Sequence, residues 1–361
     1  MRAPALPAAL ALALALAACG GERKPALAAA PGWIDVAGMV CADGSPTGIG
    51  ILPGRSDAVL VYLAGGGACW GDAPGECNDS TRSFGQTEFE ELQLLASGTI
   101  FDRTLAGNPF ATWTVVFVPY CTGDVHAGDS IRIHAGASWN HHGWRNLHAA
   151  FDAAAATLPR PAELVVAGSS AGGFGALAGY DLIRATWDPE GGTTAALVDD
   201  SGPTPVGTTI PPPLLSSWWE AWGLASTVGV ACTTGCEQDL SELWRAPATR
   251  YSGDRVALMT TIYDGTMRGF FGDPSLGSPP PAMSQLEFQA ALGVLADKLA
   301  GMRPQLDAAP IATFQVGGDA AYRHALLIDQ FFLGPGSAQG PPALQWLSDM
   351  VAGRPWSSAG P

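Results

Sequence analysis

Leu164-Val165-Val166-Ala167-Gly168-Ser169-Ser170-Ala171-Gly172-Gly173 is the stretch that decides the fold. The apolar run Leu164 to Ala167 predicts a buried strand, and the small and apolar residues from Ala171 onward predict a helix. Between them stands Gly-x-Ser-x-Gly, the sequence of a nucleophile elbow. There the glycines permit a sharp strand-to-helix turn that pushes the Ser170 hydroxyl out beyond the sheet edge. In a chain with 46 Gly the five-residue pattern alone would say little. The strand before it and the helix after it separate it from an ordinary tight turn.

Working outward, Ala58 to Leu63, Trp113 to Pro119, Ala195 to Val198, Val256 to Tyr263 and Ile311 to Val316 read as further strands, with amphipathic stretches between several of them. That alternation predicts an α/β fold of the α/β-hydrolase kind, with a mainly parallel sheet and helices on both faces. Ser284-Gln285-Leu286-Glu287 is a capping box that opens a helix to about Met302, and Gly340 to Val351 has the spacing of a last helix. From Pro203 to about Ala248 the alternation breaks into Pro-rich turns and a patch with Trp218, Trp219, Trp222 and Trp244. This segment, 203–248, is expected to be a cap inserted over the site, within a domain spanning 32–355 and followed by a tail over 356–361.

In the elbow fold the catalytic residues follow the order Ser, acid, His. Only His324, of the histidines at 126, 134, 141, 142, 148 and 324, follows Ser170. It is therefore the expected general base, on a loop after the run Ile311 to Val316. The acid should follow a late strand; Asp264 ends the run Val256 to Tyr263 and fits best, with Asp200 as the alternative and Asp319 assigned to its own loop. Gly65-Gly66-Gly67 follow the strand Ala58 to Leu63, so the N–H groups of Gly66 and Gly67, with that of Ala171, are the expected oxyanion hole. No Lys-Ser/Thr follows these glycines, which argues against a phosphate-binding loop.

Residues 1–18 have one early positive charge, a short apolar run and small residues, the plan of an export signal. Leu16-Ala17-Ala18-Cys19 is similar to the lipobox of bacterial lipoproteins, which predicts a lipidated Cys19 followed by a flexible tether over 19–31. The expected location is outside the cytoplasm, anchored by lipid, or secreted if ordinary cleavage occurs instead. Beyond Cys19 there are six cysteines, Cys41, Cys69, Cys77, Cys121, Cys232 and Cys236, an even number suited to disulfides in an oxidising compartment. Short separations suggest Cys69 with Cys77 and Cys232 with Cys236, leaving Cys41 with Cys121. Zinc is the competing reading, but Cys232 and Cys236 lack a second close pair.

Lys plus Arg total 18 against 33 Asp plus Glu, a net charge of −15, which disfavours nucleic acid and suits a neutral or esterified substrate. Membrane contact is expected only through the lipid, and the chain is expected to be a monomer. His126, His134 and His141-His142 invite a metal reading, yet serine chemistry needs none; cleft-lining or loop-packing roles are expected, with no metal and no cofactor.

Gly65-Gly66-Gly67-Ala68-Cys69-Trp70, Pro119-Tyr120-Cys121-Thr122-Gly123-Asp124, Gly168-Ser169-Ser170-Ala171-Gly172-Gly173 and His324 together resemble the pectin acetylesterase and Notum family. Its animal members remove a fatty acyl group from a signalling protein. The resemblance implies a serine carboxylic ester hydrolase, with Ser170, Asp264 and His324 as the triad and Gly66, Gly67 and Ala171 at the oxyanion positions. It also implies Asp200-Ser201-Gly202 beside the acid. Deacetylation of an esterified polysaccharide such as pectin is the expected activity, with deacylation of longer acyl or polyester substrates as the alternative. From another class, a hydrolase scaffold that has lost catalysis and serves as a surface binding protein is the competing reading.

Overall fold

Six of the apolar runs enter a single sheet because parallel strands bury both faces and so read as nearly continuous hydrophobic segments. The computed structural model describes residues 32–78, 81–188, 191–232, 235–272, 281–303, 311–317, 321–329 and 342–360. The export signal, Cys19, the tether and Asp319 lie outside the described residues. In chain order the elements are β1 (Gly32–Val40), β2 (Pro46–Leu52), β3 (Ala58–Leu63), the short pair β4 (Ala68–Cys69) and β5 (Cys77–Asn78), α1 (Gln86–Leu94), β6 (Thr114–Val118), the hairpin β7 (Ser130–His134) and β8 (Ala137–His141), and α2 (Gly143–Thr157). Then come β9 (Glu163–Ser169), α3 (Ala171–Trp187), β10 (Thr194–Asp200), α4 (Pro212–Ala221), α5 (Val228–Ala231), α6 (Arg245–Arg250), β11 (Arg255–Thr261), α7 (Gly265–Phe270), α8 (Gln285–Gly301), β12 (Ile311–Val316) and α9 (Ala343–Val351).

The main sheet has eight strands in the order β1-β2-β6-β3-β9-β10-β11-β12. From β6 to β12 all neighbours are parallel, while β1 with β2 and β2 with β6 pair antiparallel. Alternate residues of each strand serve opposite faces. Val59, Val61, Leu164, Val166, Leu197 and Leu258 pack with α2, α3 and α8 through Phe151, Tyr180 and Leu295. Leu60, Tyr62, Val165, Val198 and Met259 pack on the other face with Phe89 of α1 and Trp346 and Leu347 of α9. The fold is thus a mostly parallel sheet with helices on both faces.

β1 and β2 had no clear signal in sequence. β1 buries only Val36 and Met39 within a Gly-containing stretch, and β2 starts at a proline. Residues 356–360, expected as a tail outside the domain, instead run along the edge strand. Ala359 N donates to Thr313 O at 2.9 Å, Gln315 N donates to Ala359 O at 2.8 Å, and Trp356 packs 4.7 Å from Trp346. The open edge of β12 needs hydrogen-bond partners, and the last residues supply them.

The cysteines pair as Cys41–Cys121, Cys69–Cys77 and Cys232–Cys236. Three disulfides mark an exported protein that matures in an oxidising compartment. Among the described residues no helix is long and apolar enough to cross a membrane.

Candidate active site

Because β9 to β12 are parallel, the loops after them open on one edge of the sheet, and four residues singled out from the sequence sit there. Ser170 follows β9, Asp200 ends β10, Asp264 follows β11 and His324 lies after β12. Ser170 has φ +58°, a left-handed conformation that a non-glycine residue adopts only when its surroundings impose it. Its neighbours do so. Ser170 N donates to Asp200 O at 2.7 Å, and the turn passes so close to β3 that a Cβ on Gly172 would lie 2.0 Å from Leu63 O. The serine stands at the N-cap of α3, whose 17 residues aim their positive end at it.

Asp264 is fully buried and both its carboxylate oxygens are committed. Oδ1 accepts from Met267 N at 2.9 Å, capping α7, and Oδ2 lies 2.7 Å from His324 Nδ1. A carboxylate only accepts, so the bond puts the ring proton on Nδ1 and leaves Nε2 as a base. His324 Nε2 is buried with no hydrogen-bond partner among the described residues, so its lone pair is uncommitted. Of the two candidate acids, Asp264 makes the contact to His324; Asp200 binds the backbone beyond it.

The glycine loop runs alongside the elbow. A Cβ on Gly65 would meet Ser169 O at 2.4 Å and the Ser170 Cβ at 2.9 Å, so only glycine lets the two segments touch. Gly66 and Gly67 follow with φ of +154° and +74°. The loop is held from behind: His126 Nε2 lies 2.8 Å from Ala64 O and therefore carries the proton, while the Tyr120 ring packs at a tilt 4.8 Å from the His126 ring. Burial pushes the His126 pKa down to about 4, opposed by the bond to Ala64, so this donor stays neutral.

The described residues within 203–248 fold into short helices whose aromatic residues wall a cleft beside Ser170. Trp218 and Trp222 stack at 5.9 Å, Trp70 meets Trp218 edge-on at 5.8 Å, and Trp222 Nε1 donates to Cys69 O at 2.7 Å. With Gly67, Ala171, Phe174, Leu243, Met267 and Phe270 they line a cleft enclosing about 50 Å³, where Ser170 brings a hydroxyl to an otherwise apolar and aromatic wall among the described residues. Trp244 is different: it is wholly buried in the main core and donates to Thr204 Oγ1 at 2.6 Å.

His134 and His141 face each other at 3.1 Å between Nε2 atoms, and His141 Nδ1 lies 2.8 Å from Thr122 O. They pin the β7–β8 hairpin to the loop after β6. Among the described residues no cluster of three or more His, Cys, Asp or Glu could hold a metal. Sequence reading missed Gly65, Tyr62, Ser169 and Tyr120 as parts of this site. Gly65, Ser169 and Tyr120 stand inside the motifs quoted above and Tyr62 inside an apolar strand, but only the sheet register brings their contacts to the elbow.

The pectinacetylesterase family model matches residues 33–203, a span that contains the glycine loop, the elbow and Asp200 and ends before Asp264 and His324. The chain is similar in fold to the Wnt deacylase Notum from Drosophila. One crystal form of that protein is 19% identical, with a TM-score of 0.59 over 89% of this chain and 93% of that one. A second form is 18% identical, with a TM-score of 0.57 over 90% and 94%. The chain thus matches the pectinacetylesterase model across the segment that carries Ser170 and shares the fold of Notum along almost its whole length.

Proposed function

We propose that the protein is a serine carboxylic ester hydrolase that works through an acyl-enzyme on Ser170. The observation that carries the reading is the 2.7 Å bond from His324 Nδ1 to the buried Asp264 carboxylate, at the same sheet edge as a serine held at φ +58°. In this reading His324 Nε2 takes the Ser170 proton as Oγ attacks the carbonyl carbon. The N–H groups of Gly66, Gly67 and Ala171 stabilise the negative oxygen of the tetrahedral intermediate. The proton on Nε2 then passes to the departing alcohol, and water, deprotonated by the same nitrogen, releases the acid and restores Ser170.

The apolar cleft favours an acyl group longer than acetyl. Its lining around Trp218, Trp222 and Phe270 is apolar, and a longer chain laid against it gains about 0.8 kcal/mol per buried methylene. The polysaccharide-acetate reading rests on the family's name. A net charge of −15 disfavours polyanionic pectin and leaves neutral esters open.

Hydrolysis of nitrophenyl esters from acetate to dodecanoate, with Ser170→Ala beside the wild type, tests both parts. Rates that rise with chain length and vanish in the variant support the proposal. A maximum at acetate returns the polysaccharide reading, and equal rates in both proteins leave a hydrolase scaffold without catalysis.

A further inference from the structure

Asp200 has no part in the chemistry described above, yet it is wholly buried at the end of β10 and bonded to both halves of the site. Its carbonyl accepts from Ser170 N at 2.7 Å. Its carboxylate accepts four further bonds: Ser169 Oγ at 2.6 Å and Leu327 N at 2.9 Å on Oδ2, and Ser201 Oγ at 3.1 Å and Leu326 N at 3.0 Å on Oδ1. Ser201 Oγ in turn accepts from Ala325 N at 3.0 Å. Three consecutive amides directly after His324 therefore end on two adjacent side chains. The residue before His324 is held from β11, where Thr261 Oγ1 donates to Arg323 O at 2.6 Å. Ala325 and Ser201 have φ of +58° and +56°, conformations that such a clasp can impose on residues with a Cβ. On the far side Tyr62 donates to Ser169 Oγ at 2.9 Å, extending the chain of hydroxyls into β3.

We propose that Asp200, assisted by Ser201, is the positioning residue of this site: one carboxylate clamps the turn that carries Ser170 to the loop that carries His324 and so sets the spacing of nucleophile and base. The inference rests on the serine-hydrolase reading above. A buried carboxylate is a costly way to satisfy two loops that neutral hydroxyls or amides could also join. Its charge supplies what they cannot, a second negative neighbour for an imidazole that becomes positive when it takes the Ser170 proton. The groups that face His324 are Asp264 from the end of β11 and Asp200 from the end of β10, with Asp199 behind it. On its own loop stands Arg323, paired with Asp329. Burial raises the Asp200 pKa, and the Ser169 hydroxyl, the Leu327 amide, His324 and the Leu326 amide oppose that rise. Asp199 is pushed well up, first by burial and then by Asp200.

The test is steady-state kinetics of wild type, Asp200→Asn and Ser201→Ala on the best ester of the chain-length series, with thermal melts and Ser170→Ala as blank. Asn keeps the shape but must turn an amide NH₂ toward a donor. In Asp200→Asn, kcat is expected to fall about 10- to 100-fold with KM within about twofold, and the acidic limb of kcat/KM to move to lower pH. In Ser201→Ala, which keeps the charge, kcat falls by less and the limb stays in place. An Asp200→Asn protein with wild-type kcat and limb, or a loss equal to its melted fraction, overturns the proposal. If Asp200→Asn does not fold, Ser169→Ala combined with Ser201→Ala decides, and wild-type kcat there overturns it. Should the wild type hydrolyse no ester, the serine-hydrolase reading fails by itself. Backbone hydrogen exchange at Ala325 to Leu327 then still judges the clasp, faster exchange in Asp200→Asn supporting it and unchanged exchange overturning it.

Discussion

His324 Nδ1 and Asp264 Oδ2 meet at 2.7 Å although 60 residues separate them in sequence. The other oxygen of the same carboxylate caps α7 through Met267 N, so the acid is fixed by a helix and in turn fixes the ring. Asp264→Asn should retain the cap and place an amide donor or the wrong tautomer against the imidazole. The expected loss in kcat is about 10³- to 10⁴-fold with little change in melting temperature. Ester-hydrolysis kinetics check this, and a loss below about tenfold would move the acid's role elsewhere.

Trp218 walls the cleft at the centre of the aromatic group formed with Trp70 and Trp222. Trp218→Ala should enlarge the apolar space next to Ser170 and move the preferred acyl chain to greater length. The nitrophenyl series measures the optimum, and an unchanged optimum would mean that the acyl chain lies elsewhere.

Cys41–Cys121 closes a loop across a sequence separation of 80 and ties the segment after β1 to the loop after β6. Replacing both cysteines by alanine should cost about 2–5 kcal/mol of unfolding free energy, read from urea or guanidinium melts. A change under about 1 kcal/mol would show that neighbouring contacts already hold these segments.

Each of two buried histidines should cost stability on mild acidification. Burial lowers the pKa of both His126 and His141 to about 4 from 6.5, so as pH drops through that window the unfolded chain takes up protons that the folded chain refuses. Stability is lost as pH falls from the unfolded value toward the folded one. Asp124 works in the opposite sense: burial raises its pKa from 3.8 to about 6, so the folded chain gains a proton over much of the same range. Asp199, Asp200 and Asp254, whose pKa values burial also raises, act with Asp124, while His134 and His142, whose values it lowers, act with His126 and His141, so the share of a single histidine is read against the wild-type slope. His141→Asn keeps a donor toward Thr122 O and removes one titration; its melting temperature should fall less steeply from about pH 6.5 to about pH 4.5. A slope equal to that of wild type would exclude His141 as a contributor.

The sequence by itself determined the elements whose signals are local. Leu164 to Gly173 declares a strand, a turn and a helix within ten residues, because apolar burial and the room that glycine gives a tight turn are written in adjacent positions. Chain order then left His324 alone as a candidate base, and the apolar runs of β3, β6, β9, β10, β11 and β12 could be read because parallel strands bury both faces. Only the tertiary structure shows which of Asp264 and Asp200 touches His324. Both carboxylates follow strands of the same sheet, and what separates them is which neighbouring loop reaches each: the His324 ring at Asp264, the amides of Leu326 and Leu327 at Asp200. The cleft was equally out of reach of sequence reading. It gathers Gly67, Phe174, Trp218 and Met267 from four separate segments. Hydrophobicity along the chain shows that each is apolar, while only packing shows that they face one another around Ser170.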